Sequence, residues 1–565
     1  MRAFFTFVIT TAFASAFLLS CNYKSKEADV VFHNAQIINC DGIGEEEATQ
    51  GAIAVKDGRI VAVGANQAIL NTYKSESYID LQQAYIYPGF IDAHSHFLGY
   101  SLNKTKVNLV GTSSFDEVLD RISSFADSNY TSTDSLSWIT GRGWDQNDWP
   151  STTFPTRHKL DSLFPNRPVA VRRIDGHALL VNQKALELGG IFDILKTHGP
   201  NIEGGEIILL PDGRPSGVLV DEAADLVLNA VPEPNTEIKR RALIEGQQDL
   251  FAVGLTTVSD AGLDVGEIKL ISDLHSSGDL QIRVIAMASG TQPNLDSAFS
   301  IGPWRTDRLV AESIKFYMDG ALGSRGAALL APYSDRPEFS GYLIQDPESY
   351  RNAISMANDL GFQVCTHGIG DRAVRHILEE YNDVLGGIND KRWRIEHSQV
   401  VSTEDLPLYA SASIIPSIQP THATSDMYWA GERLGKGRIR RAYRYEDLKN
   451  VLGMLPLGTD FPIESIDPLK TFYAATIRKD SDGYPENGYY MDQALSRNSA
   501  LLGMTVWASI ANRTESETGS IEEGKWADFV VLDRNLLTTP EDQILNTHIL
   551  KTVVAGKIVY SNGKH

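Results

Sequence analysis

The sequence predicts an α/β protein built on a closed (β/α)8 barrel of the TIM type, with a smaller composite β-sandwich formed by both termini. Three observations predict it. Eight short apolar runs in the middle of the chain each end in polar residues. Helical stretches such as "DPESYRNAISMANDLG" and "DRAVRHILEEYNDVLG" lie between several of these runs, and strands alternating with helices imply a parallel sheet. The two ends of the chain have a different texture, with short β-like runs and turn signals. At 565 residues the chain is too long for a single core, which accords with two or more units.

The elements follow in order. "MRAFFTFVITTAFASAFLLSC" places Arg2 before an apolar run and small Ser20 before Cys21, the pattern of a secretory signal over residues 1–20. Its ending, "LLSC", resembles a bacterial lipoprotein cleavage box, so Cys21 is the expected lipidation site and 21–27 a polar tether; the alternative is a simple cleaved signal with an incidental cysteine. No later segment has the ~20 consecutive apolar residues of a membrane span, so the expectation is an exported body held at a membrane surface, facing the periplasm or cell exterior, only by that anchor. Residues 28–85 and 519–565 carry the sandwich: "ADVVFHNAQIINC" and "GAIAVKDGRIVAVG", the second with a hairpin signal at Asp57-Gly58, match "KWADFVVLDR" and "ILKTVVAGKIVYSNGKH" in texture. Residues 86–518 carry the barrel. Its expected strands are "AYIYPGFIDAHSH", "GLTTVSDAG", "QIRVIAMA", "SIKFYMDG", "FQVCTHGIG", "WRIEHSQ", "SIIPSIQPTH" and "VLGMLPLGTDFP". About 150 residues separate the first two, far beyond an ordinary connection. They hold "SWITGRGWDQNDWP", "RPVAVRRIDGHALLVN" and "GGEIILLPDGRPSGVLVDEA", read as an inserted subdomain over about 104–250 at the mouth of the barrel.

Composition excludes some partners. The formal net charge is −21 and no basic block is present, which argues against nucleic acid. Cys40 and Cys365 lie far apart in apolar runs and read as buried free thiols.

The chemistry concentrates at strand ends, where barrel enzymes keep their catalytic groups. The first strand supplies His94 and His96, two apart and so on one face of a pleated strand. The fourth supplies Lys315 and Asp319, the fifth His367, the sixth His397 and the eighth Asp460. A lone histidine in an apolar strand is ordinarily a satisfied core residue. Four histidines and an aspartate at matching ends are a ligand set, and imidazole with carboxylate suits zinc and similar divalent ions.

"DAHSH", "CTHGIGD", "IEHSQ" and "GTDFP" together resemble the metal-dependent amidohydrolase superfamily, over nearly the whole chain after the tether. "GRGWD", "RRIDGHALLVN", "GVLVDEA", "IKFYMDGALGSRGAAL" and "PSIQPTH" are similar, more narrowly, to its N-substituted formamide deformylase-like branch. The resemblance implies that His94, His96, His367, His397 and Asp460 are metal ligands and catalytic machinery. It also implies that Lys315 stands where many members carry a carboxylated lysine bridging two ions. A free ammonium is a donor and no ligand, so Lys315 joins the set only as a carbamate; otherwise it stays free or pairs with Asp319, and one ion is expected instead of two.

The expected reaction is hydrolysis of a non-peptide C–N bond in an amide, formamide or cyclic amide, with Asp460 as general acid–base. His422 and His177 are the candidates for stabilising the oxyanion, each with the alternative of a purely structural role. Trp144 and Asp145, with Trp149, are candidates to line a substrate lid, the alternative being a core that pins the insert. Arg325 is a candidate to meet an anionic substrate group, the alternative being a salt bridge. Two rival readings keep the barrel. One attacks an ester, lactone or phosphoester; the other is a non-catalytic surface protein that captures a ligand. The expected partner is a small-molecule substrate, and a homodimer is compatible with the sequence.

Overall fold

The computed structural model describes residues 26–40, 47–129, 137–174, 176–202 and 205–563; the expected leader and Cys21 lie outside them. Among the described residues no helix is long and apolar enough to cross a membrane.

One sheet joins segments from both ends of the sequence, in the order Lys557–Ser561, Ile549–Val554, Phe529–Leu532, Tyr85–Pro88, Val30–Ile37, Thr49–Lys56, Arg59–Gly64. Phe529–Leu532 runs antiparallel to Tyr85–Pro88, with Val530 opposite Tyr87. Phe32 and Phe529 meet edge to face at 4.9 Å between ring centroids, in a core that also holds Ile53 and Val553. Asp57 and Gly58 form the hairpin turn with φ of 51° and 75°, the left-handed pair that matches strand twist.

The barrel sheet is parallel and runs in the order Phe90–Ser95, Leu255–Leu263, Arg283–Ser289, Leu309–Tyr317, Gln363–Gly368, Arg394–His397, Ile415–Ser417. The eighth position differs from the sequence expectation. Residues 455–460 form no ladder and make one isolated bridge, Leu457 to Ile418. Pro456 in "LPLG" has no N–H to give a ladder. The segment still closes the ring: Gly458 N donates to Ile418 O, Ala93 N to Leu457 O, and Asp460 N to His94 O at 2.8 Å. A Cβ on Gly458 would stand 2.5 Å from His94 N, so glycine is what lets this segment lie against the first strand.

Two of the outer helices illustrate how the sequence places the layer. Pro347–Asp359 starts at a Pro after Asp346, whose side chain accepts from Ser349 N at 2.9 Å. Asp371–Leu385 ends at left-handed Gly386 and buries Ala373, Val374, Ile377, Leu378 and Tyr381 at helical spacing. Burying each of the larger side chains is worth about 1.5–3 kcal/mol.

The segment between the first two barrel strands folds as a seven-stranded sheet over Val107–Asn108 to Pro215–Asp221 with its own two cores. Its end falls earlier than the expected 250. Thr236–Ala252 is a barrel helix: Leu243, Leu250 and Phe251 belong to the barrel core, and the helix packs on Phe97–Asn103.

Candidate metal centre

The barrel's strand ends bring five of the named side chains together around Asp460. His94 Nε2 lies 3.5 Å and His96 Nε2 3.1 Å from its Oδ1; His422 Nε2 lies 3.5 Å from its Oδ2. The His397 ring sits 4.9 Å from that of His94, 4.5 Å from that of His367 and 5.9 Å from that of His422. His94, His397 and Asp460 form the tightest group, each offering one atom within 4.8 Å of the others.

The outer nitrogens of these rings are fixed. His94 Nδ1 meets Glu396 Oε2 at 2.8 Å, His96 Nδ1 meets Ala261 O at 3.0 Å and His397 Nδ1 meets Gln419 Oε1 at 2.7 Å. Glu396 Oε2 and Ala261 O can only accept, so Nδ1 of His94 and His96 carries the proton and Nε2 is left with its lone pair toward the centre; Gln419 presents its oxygen to His397 and favours the same tautomer there. Burial pushes His94 down to about 4 and His367 to about 3, with the Lys315 charge acting the same way; burial also lowers His397 well below its ordinary value. Neutral imidazoles are what a cation requires.

The donor set fits a divalent ion. His367 Nε2, His422 Nε2 and Asp460 Oδ1 are buried without a hydrogen-bond partner among the described atoms, a costly arrangement unless something binds there. Two of the ligand-bearing residues also hold the left-handed backbone, His397 at φ 73° and Asp460 at φ 63°. Such conformations cost on the order of 1–3 kcal/mol and collect at functional sites.

Lys315 is buried, with Nζ 3.5 Å from His94 Nε2 and 4.4 Å from the centre of the Tyr317 ring; burial lowers its pKa. It is not the partner of Asp319. Both Asp319 oxygens accept from backbone, Oδ1 from Ile369 N and Oδ2 from Ala328 N and Gly370 N, which folds the loop behind the fourth strand. Asp92 is likewise structural, accepting from His94 N and from Thr459 N and Oγ1.

Four expectations lie elsewhere. Trp144 is buried in the core of the insert, with Nε1 donating to Val171 O, because its strand turns that face inward onto Trp149 and Leu160. Asp145 caps the following turn at Asn147 N and pairs with Arg173. Arg325 pairs with Asp335 at 2.7 Å. His177 is largely exposed on the insert and joins Asp221 at 2.7 Å, not Asp460. His422 stands in the helix Pro420–Asp426 that follows the seventh strand, one turn beyond the strand end expected for it. A cavity of about 960 Å³ lies between the insert and the start of Thr236–Ala252, and no residue of the histidine cluster lines it.

Sequence reasoning missed Glu396, Arg394 and Gln419. Arg394 Nε donates to Glu396 Oε1 at 2.8 Å, with both side chains fully buried. Burial opposes the Glu396 charge, but Arg394 and His94 overcome it and hold the carboxyl at about 2.

A profile described as the amidohydrolase family matches residues 77–560. The protein YtcJ of Bacillus subtilis (strain 168) is 31% identical over 534 residues, covering 91% of this chain and 97% of its own length. The N-substituted formamide deformylase of Arthrobacter pascens is 25% identical over 560 residues, covering 94% and 98%. Among solved structures, a metal-dependent hydrolase from Pyrococcus horikoshii OT3 superposes with a TM-score of 0.74 at 26% identity, covering 91% of this chain and 99% of its own.

Proposed function

The chain belongs to the amidohydrolase family, and from that premise we propose that this metal-dependent enzyme hydrolyses an amide, formamide or cyclic amide with Asp460 as general acid–base. One observation carries the reading: Asp460 Oδ1, without a hydrogen-bond partner of its own, lies within 3.5 Å of two ligand-ready histidine nitrogens, while Oδ2 faces His422.

His94, His397 and Asp460 would hold the ion, with His96 and His367 beside them. A divalent ion there, zinc being the best match to this donor set, supplies polarisation of the scissile carbonyl and a lower pKa for water. Asp460 accepts a proton from the attacking water and returns it to the departing nitrogen, so that the amine leaves neutral. His422, stacked at 5.9 Å on His397 and facing Asp460, is placed to donate to the oxygen that becomes negative. Burial favours the neutral amine of Lys315, the form that takes up carbon dioxide as a carbamate with loss of a proton. A carbon-13 carbamate signal after labelled bicarbonate, absent from Lys315→Ala, would support that carbamate, and its absence from the native protein would remove it. Cys21, after "LLS", would anchor the exported chain through lipid. Cys21→Ser that still partitions into detergent like the native protein would end that reading.

The test of the reaction is a panel of N-formyl, N-acyl, lactone and phosphotriester substrates, with and without chelator. Turnover confined to C–N substrates and lost on chelation is expected. Turnover of esters or phosphotriesters alone, or full turnover of metal-free protein, would overturn the proposal.

A further inference from the structure

The three buried histidine supports are chemically unequal. His96 leans on a backbone carbonyl and His397 on the neutral amide of Gln419, whose own Nε2 is buried with no partner among the described atoms. His94 alone of the three leans on a carboxylate. That carboxylate is held in turn: Glu396 Oε2 takes His94 Nδ1 at 2.8 Å, and Glu396 Oε1 takes Arg394 Nε at 2.8 Å. Arg394 is fixed by Nη1 to Asn512 Oδ1 at 3.0 Å and by Nη2 to Ala93 O at 3.2 Å. Asn512 Oδ1 also accepts from Ser259 Oγ at 3.1 Å. All these side chains are buried, so neither carboxylate nor guanidinium has room to turn away.

We infer that Glu396, clamped by Arg394, is the positioning residue that presents His94 Nε2 and sets how tightly the centre holds its divalent ion. The inference rests on the metal reading above. An ion pair inside a barrel is a poor way to fill it, since an apolar pair of similar volume is often as stable or more so. Its position against a ligand ring gives it a purpose. A carboxylate can only accept, so it fixes the His94 tautomer at every pH where it is charged, and its charge raises the basicity of the coordinating nitrogen. An amide such as Gln419 can turn its NH2 toward the ring and dictates less.

The experiment uses full-length protein stripped with chelator and then titrated with zinc against a chromophoric chelator. Cobalt-loaded protein is followed in parallel by absorption, and thermal melts of the apo forms check folding. Glu396→Gln keeps shape and an acceptor oxygen but removes the charge; the expected result is zinc affinity about 10- to 100-fold weaker, with a shifted cobalt spectrum; its apo melt should fall, because buried Arg394 loses its counter-charge, so the titrations are run well below that melt. Glu396→Asp, which restores the charge, should recover part of that loss. Arg394→Lys gives an independent reading, because it leaves the carboxylate but loses the fork that aims it, and it too should weaken zinc. Native affinity and an unchanged cobalt spectrum in folded Glu396→Gln or Arg394→Lys would overturn the inference. Native protein that takes up no divalent ion would instead overturn the metal reading beneath it.

Discussion

Asp460 and Asp319 close two segments of the same barrel, and both are buried carboxylates at the end where chemistry is done. They differ in what their oxygens touch. Asp319 also has a histidine nitrogen near it, His367 Nε2 at 3.5 Å from Oδ1, but both its oxygens already accept backbone N–H groups, from residues 328, 369 and 370, and its work is to shape a loop. Asp460 has an oxygen with no donor and three histidine nitrogens at 3.1–3.5 Å. Position at a strand end does not separate a ligand from a scaffold; the oxygen left without a donor does.

The contrast can be broken most decisively at the histidines. His94→Ala should lose metal and turnover together, measured as metal content by mass spectrometry beside kcat; an active, metal-loaded His94→Ala would dissolve the cluster as a site. Next comes Asp460→Asn, which keeps shape and one carbonyl oxygen. It should retain most of its metal and lose ~10²–10⁴ in kcat; near-native kcat with full metal would move the base to His422. Asp319→Asn should do the reverse. Its NH2 would face a backbone N–H, leaving a buried donor unmet at a cost of about 1–3 kcal/mol, so the melting temperature should fall while the folded fraction keeps its turnover. A selective loss of kcat at unchanged melting temperature would make Asp319 part of the chemistry. The smallest effect is expected for Arg325→Ala in the loop beyond Asp319. Its pair with Asp335 is partly solvent-exposed, so its loss should leave the melting temperature nearly unchanged, and KM for an anionic substrate should not move; a large rise in KM would return Arg325 to substrate binding.

Why the sequence showed some of this and hid the rest follows from its periodicities. Histidines two apart on an apolar strand, and polar residues closing strand after strand, survive as patterns because each strand meets the same pocket. Glu396 stands beside His397 in "IEH", and alternation assigns such neighbours to opposite faces, so a ligand at His397 hides a role for Glu396. The chain evades that rule: Arg394 and Glu396 take the inward parity, and a φ of 73° brings His397 into the cluster as well. "VLGMLPLGTDFP" read as a strand because its apolar run is right, but Pro456 denies it a ladder. "GWDQNDWP" mixes aromatic and acidic residues as a binding surface would, and only tertiary packing shows Trp144 and Trp149 tilted against each other at 6.1 Å inside the insert.

The sheet shared by the two ends of the sequence orders events during synthesis. Tyr85–Pro88 leads directly into the strand that carries His94, yet one of its edges stays bare until Phe529–Leu532 has been made. The first ligands of the centre therefore leave the ribosome hundreds of residues before the strand that completes the sheet beneath them. A nascent chain stalled short of residue 529 exposes that edge for as long as it waits, and a chaperone able to cover an unpaired β-edge would have its longest opportunity there.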